Sequence, residues 1–218
     1  MPRTQINLEG WQDYRGVNAG ALLYVETSHQ SSVPVRDQMN ENGKGFFFEP
    51  NYETSTYGLV SCCNAKSINA IVNGKSKSRY ILFGTRYEGT SVPEYKDKYL
   101  IMGYMRIDKI RDVRTRHVQK YMATPGAAEP ECLKLEKHFA VYGPMRFVSF
   151  EDSFLITDDL LREWGYKGRA TRQLKAVFKE DDLNKIFEVL NSKKDMTDEY
   201  IAAVDEYKEA LSEEGAQD

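Results

Sequence analysis

The residues that most often carry chemistry are scarce in this sequence. Its 218 residues include three cysteines, three histidines and two tryptophans. His29, His117 and His138 stand far apart, and none has a metal-ligand partner three or four positions further on. Cys62 and Cys63 are adjacent, which is neither the C-x-x-C spacing of a zinc or redox site nor a favourable disulfide. With Cys132 the cysteine count is odd, the usage of a reduced, cytosolic protein. Gly16, Gly20, Gly43 and Gly45 do not assemble a phosphate-cradling loop, which argues against nucleotide hydrolysis. No apolar run approaches the roughly 20 residues of a membrane helix. The opening MPRTQINLEGW lacks a signal-peptide hydrophobic stretch. These absences predict a cytoplasmic chain with no cofactor, no metal centre and no membrane partner.

The charge is unevenly placed. The net charge is −3, yet residues 195–218 hold nine acids against the single base Lys208. That tail carries −8 and leaves +5 on residues 1–194. A mildly basic body suits a phosphate-bearing partner, and an acidic tail can screen it from non-specific polyanions.

The most apolar β-patterned stretch is 79–108, RYILFGTRY and YLIMGYMRID around a polar loop. Strand side chains alternate, so Ile81, Phe83 and Thr85 share one face, opposite Tyr80, Leu82, Gly84 and Arg86. The same count puts Ile101, Gly103, Met105 and Ile107 on a core-facing side of the second strand. Leu100, Met102, Tyr104 and Arg106 fall on a side that opens to solvent. Gly84 and Gly103, inside strand patterns, predict a bulge or a close approach of backbone or ligand.

Around this pair, 21–26, 57–63, 138–142 and 145–150 read as strands, the last two about a Gly143-Pro144 turn. Residues 67–72 read as a short strand or a helical turn, and residues 170–178 as a short helix. Thr157 is a candidate N-cap for a helix over 158–164, ended by Gly165. Leu183, Ile186, Phe187 and Leu190 stand at i, i+3, i+4 and i+7, an amphipathic helix. Thr197 is expected to cap a last helix with a narrow stripe of Tyr200, Val204, Tyr207 and Leu211. The acid pairs Asp158-Asp159 and Asp181-Asp182 fit helix N-termini without any catalytic role. Strands followed by helices give an α+β class with a curved or barrel-like mixed sheet.

The positive functional signal is interleaving of rings and cations: Arg79-Tyr80, Arg86-Tyr87, Tyr104/Arg106, Tyr142/Arg146 and Trp164-Tyr166-Lys167-Arg169. Cations meet phosphates and rings stack on exposed bases, so the combination suits RNA or DNA. The densest basic run is 109–120, with Lys109, Arg111, Arg114, Arg116 and Lys120. The N-terminal arm, with Trp11, Tyr14 and Arg15, either folds over a site or is a weakly tied end.

RYILFGTRY…KYLIMGYMRIDKI, followed by HFAVYGPMRFVSFEDSFLITDDLLREWG, resembles the PUA-like superfamily, particularly its EVE and YTH-type branches. The resemblance implies a small curved β-barrel, placed at 20–168; the arm at 1–19 and a helical extension with an acidic tail at 169–218 are additions to it. It implies binding of RNA or DNA, with a modified base in an aromatic pocket. Carried onto this chain, the pocket comprises Asn64, Thr85, Arg86, Tyr87, Tyr104 and Trp164. The expected phosphate contacts are Arg106, Lys109, Arg111, Arg114, Arg116 and Lys120. No residue is assigned a catalytic role. The alternatives are a nucleic-acid-processing enzyme using Cys63, His138 or Asp108, and a protein-interaction module acting through the acidic C-terminal helix.

Overall fold

The computed structural model describes residues 5–25, 50–52, 54–58, 65–74, 77–86, 93–96, 98–112, 139–171 and 174–202. The chain is α+β, and its strands form two sheets. The first sheet has the order β1-β6-β7-β3, built from β1 (Gln12–Asp13), β6 (Lys109–Asp112), β7 (Phe139–Tyr142) and β3 (Thr56–Tyr57). The second has the order β10-β2-β4-β5-β8, built from β10 (Val177–Phe178), β2 (Val17–Tyr24), β4 (Ser78–Arg86), β5 (Tyr99–Arg106) and β8 (Met145–Phe147). There β9 (Phe154–Ile156) continues along the edge of β5 that β8 begins. Among the described strands only β2 and β4 run parallel, joined through α1 (Ala65–Asn73). The helices α2 (Asp158–Glu163) and α3 (Glu180–Ser192) follow the strands. Among the described residues the strands make two joined sheets and no closed barrel.

β4 and β5 are the centre of the second sheet, and the glycines there mark a bulge. Phe83 pairs with Gly103 and Gly84 with Ile101, which leaves Met102 as the extra residue on β5. The extra residue shifts the alternation by one. Leu100 and Met102 therefore face the same core as Met105 and Ile107, while Tyr99 and Ile101 face the other side with Tyr104. This corrects the uninterrupted alternation expected from the sequence. Gly103 is required by the partner strand, because a Cβ there would lie 2.4 Å from the Phe147 ring and 2.6 Å from the Arg146 carbonyl oxygen.

Both sides of the second sheet are covered. One cluster lies between the two sheets and includes Ile81, Phe83, Leu100, Met105, Val141, Phe147 and the α1 residues Ile68, Ile71 and Val72. Their i, i+3, i+4 spacing makes 65–73 a helix and not a strand. The other cluster packs Leu22, Leu82, Ile101 and Phe178 against Leu183, Ile186 and Leu190 of α3. Each of these buried aliphatic side chains contributes roughly 1.5–3 kcal/mol.

The remaining elements follow local chemistry. The Thr157 hydroxyl accepts from the Leu160 N–H at 3.1 Å, capping α2 as expected, and Gly165 follows with φ +78°. The short helix expected at 170–178 is absent among the described residues of that segment. Leu174, Ala176 and Phe178 are buried in alternation with exposed Lys175 and Val177, a period of two, and β10 pairs with the edge of β2. At the last helical run, 197–202, Asp195 takes the capping role expected of Thr197, since its carboxylate accepts the Thr197 N–H at 3.0 Å. Thr197 is buried and accepts the Phe147 N–H instead. Tyr200, the first residue of the C-terminal apolar stripe, packs inside the core and donates to the Val148 carbonyl. Val204, Tyr207 and Leu211 lie outside the described residues.

The two sheets meet at a corner where two antiparallel chains bend together. β5 runs into β6 through Ile107 and Asp108, and β7 runs into β8 through Gly143 and Pro144. The Arg106 N–H donates to the Pro144 carbonyl and the Asp108 N–H to the Tyr142 carbonyl, each at 2.9 Å. Strands that change sheet at a bend are a known way to turn such corners. Gly143 lies so close to the opposite chain that a Cβ would sit 1.8 Å from the Arg106 carbonyl oxygen.

Candidate nucleic-acid interface

The strand registers place tyrosines opposite cations around the outside of this corner. Tyr80 pairs with Arg106, Tyr104 with Arg146, and Tyr142 with Lys109. Directly opposed side chains on one face lie about 4.5–5.5 Å apart at Cβ. The intervening residues Ile81, Met105, Ile107, Val141 and Met145 point into the inter-sheet core. The tyrosine–cation pairs consequently share the outer side. Arg111 follows Lys109 on that side of β6.

The N-terminal segment lies along the same face. Gln12 and Asp13 pair with Ile110 and Lys109, and the Tyr14 N–H donates to the Asp108 carbonyl at 2.8 Å. Trp11 meets Tyr142 edge to face, with ring centroids 6.0 Å apart. Tyr14 turns inward and donates its hydroxyl to the Ile71 carbonyl, and burial pushes its pKa up to about 12.

Arg106, Lys109 and Arg146 on this face have carboxylate neighbours. Arg106 donates twice to Asp108, at 2.8 and 2.9 Å, and its side chain stays 42% exposed. These bonds engage two of its five N–H donors. Lys109 Nζ lies 2.5 Å from Asp13, and that hydrogen bond holds the Asp13 carboxyl below its ordinary range. Arg146 is occupied differently. It reaches Asp195 at 3.2 Å and the carbonyls of Leu190, Asn191 and Lys193, satisfying the C-terminal end of α3.

At the α3 side of the corner, Tyr80, Tyr104 and Phe187 form a half-buried ring cluster. Their centroid separations are 4.4 Å for Tyr104–Phe187, 4.9 Å for Tyr80–Phe187 and 6.3 Å for Tyr80–Tyr104. The Tyr104 hydroxyl donates to Asn191 Oδ1 at 2.8 Å, and burial raises its pKa.

The residues expected to line one base pocket are distributed differently. Tyr104 lies on the outer side, whereas Thr85 is fully buried on the inner side of β4, with no partner for its hydroxyl among the described residues. Arg86 is exposed at the end of β4, opposite Tyr99. Trp164 packs against Phe154 and Phe178 at 5.9 and 6.0 Å, with Lys185 Nζ 5.0 Å above its ring. Asn64 and Tyr87 lie outside the described residues, as do Arg114, Arg116 and Lys120. Of the expected phosphate contacts, Arg106, Lys109 and Arg111 come together at the corner. Tyr80 and Tyr142 join them through strand register, and Trp11 and Phe187 through ring contacts with Tyr142 and with Tyr80 and Tyr104.

All three cysteines and all three histidines lie outside the described residues. Among the described residues no cluster of three or more His, Cys, Asp or Glu side chains forms a metal site, and no helix is long and apolar enough to cross a membrane. Asp108 directs both carboxylate oxygens at Arg106. No protein-family model, curated protein or solved structure matches the chain.

Proposed function

We propose that the protein is a nucleic-acid-binding module of PUA-like architecture whose interface is the outer side of the corner. The observation that carries this reading is the row of cross-strand tyrosine–cation pairs, Tyr80/Arg106 and Tyr142/Lys109, continued by Arg111 and Trp11. Rings supply base contacts, and the remaining Arg and Lys donors supply phosphate contacts. What supports the PUA-like architecture is the mixed α+β composition with two multi-strand sheets that meet at a corner. The role is binding, and a modified base set against Tyr104 is the finer form of the proposal. The double variant Lys109→Glu with Arg111→Glu tests it in fluorescence-anisotropy titrations against labelled RNA and DNA. The affinity should fall by a similar factor for all sequences. The slope of log K against log salt should flatten by roughly 0.7 to 0.9 for each phosphate that the variant no longer neutralises. Wild-type affinity and slope in a folded double variant would refute the assignment.

A further inference from the structure

We infer that this face takes an unpaired strand, with a second base subsite formed by Trp11 and Tyr142. The inference rests on the nucleic-acid reading above and adds the class of ligand. The rings form two clusters, Tyr80/Tyr104/Phe187 and Trp11/Tyr142. Between them lie the ion pairs Arg106–Asp108 and Lys109–Asp13. Lys109, the partner of Tyr142, stands five positions after Tyr104, so the backbones at these two residues are at most about 17 Å apart at roughly 3.3 Å per residue.

Two features of this face select an unpaired strand. Bases inside a duplex are stacked on each other and cannot offer their faces to either ring cluster, whereas a single strand can splay one base onto each. The two ion pairs between the clusters also carry no net charge, with two carboxylates beside two cations. A duplex footprint relies on neutralising many phosphates, which these pairs do not provide. Here the rings supply the affinity. The donors left on Arg106 and Lys109 meet only the phosphates linking the two bases.

The test compares single strands of about 12 nucleotides, a length within the usual range of such sites, with their matched duplexes, as RNA and as DNA. The wild-type protein should bind the single strand at least about 10-fold more tightly. Trp11→Ala and Trp11→Leu should each weaken that binding by roughly 5- to 150-fold, the effect of removing one stacked base, and Trp11→Phe should retain most of it. Trp11→Leu keeps bulk against Tyr142 without a π face, which separates stacking from packing. Circular dichroism of each variant checks the fold. Equal or tighter duplex binding, or wild-type affinity in both Trp11→Ala and Trp11→Leu, overturns the inference and leaves the nucleic-acid reading standing. Failure of the wild-type protein to bind any of these probes overturns both.

Discussion

The Arg106–Asp108 pair sets up the most informative substitution, Asp108→Asn. Asparagine keeps the shape and one acceptor oxygen but removes the charge that holds the guanidinium. Both side chains are partly exposed, at 42% and 33%, so water screens the pair. Exposed ion pairs are worth roughly 0–1 kcal/mol, and the bidentate geometry places this one toward the upper end. The stability loss is therefore at most about 1 kcal/mol, a Tm decrease of roughly 2–4 °C for a chain of this size. Binding should move the other way. A released Arg106 can neutralise one more phosphate, which steepens the single-strand salt slope by roughly 0.7. A gain of about 1 kcal/mol is roughly fivefold in affinity. Anisotropy titrations over a salt series measure both quantities. A folded Asp108→Asn protein with weaker binding, or with an unchanged slope, would show that Asp108 does not hold Arg106 back from phosphate.

Other consequences concern the scaffold. Gly143→Ala places a Cβ against the Arg106 carbonyl, a backbone atom that no rotamer change can move. It should cost about 3 kcal/mol or more, a Tm decrease of roughly 6–12 °C, and a wild-type melting curve would contradict the corner geometry. The hydroxyls of Tyr52 and Tyr99 are buried without partners among the described residues. Tyr52→Phe and Tyr99→Phe should thus be neutral or stabilising in urea unfolding, by up to about 1–3 kcal/mol, and a clear destabilisation would reveal a partner for the hydroxyl. Burial pushes the phenols of Tyr14 and Tyr166 up to about 12 from an ordinary value of 10.0. The folded state holds these protons more tightly than the unfolded state. Their contribution to stability is complete below pH 10 and is lost as the pH rises through 12. Tyrosinate absorbance should show a late-ionising fraction that titrates together with unfolding, and complete ionisation near pH 10 in a folded protein would contradict this.

Elements governed by local chemistry were legible in the sequence. The Thr157 cap, the 3.6-residue period of α3 and the β4–β5 pairing all depend on neighbours within a turn or on simple alternation. The glycines announced the bulge but not which residue was extra. One inserted residue at Met102 reverses every side chain beyond it. The segment 174–178 carried a readable period of two, which its good helix formers obscured. The site was less legible because its pairs are across strands. Adjacent-residue pairs such as Arg79-Tyr80 cannot reveal Tyr80 against Arg106, which are 26 positions apart. The residues flanking Gly143-Pro144 looked like a hairpin turn, yet β7 and β8 belong to different sheets, and this division puts Tyr142 beside Lys109.

Photo-crosslinking of the wild-type protein to a labelled single-stranded oligonucleotide, with the modified residues located by mass spectrometry, tests the central claim most directly. The account predicts adducts at Trp11, Tyr142 and Tyr104 or in the peptides that carry them. Adducts confined to other surfaces, such as the outward side of α2 or the exposed end of β4 at Arg86, would contradict it.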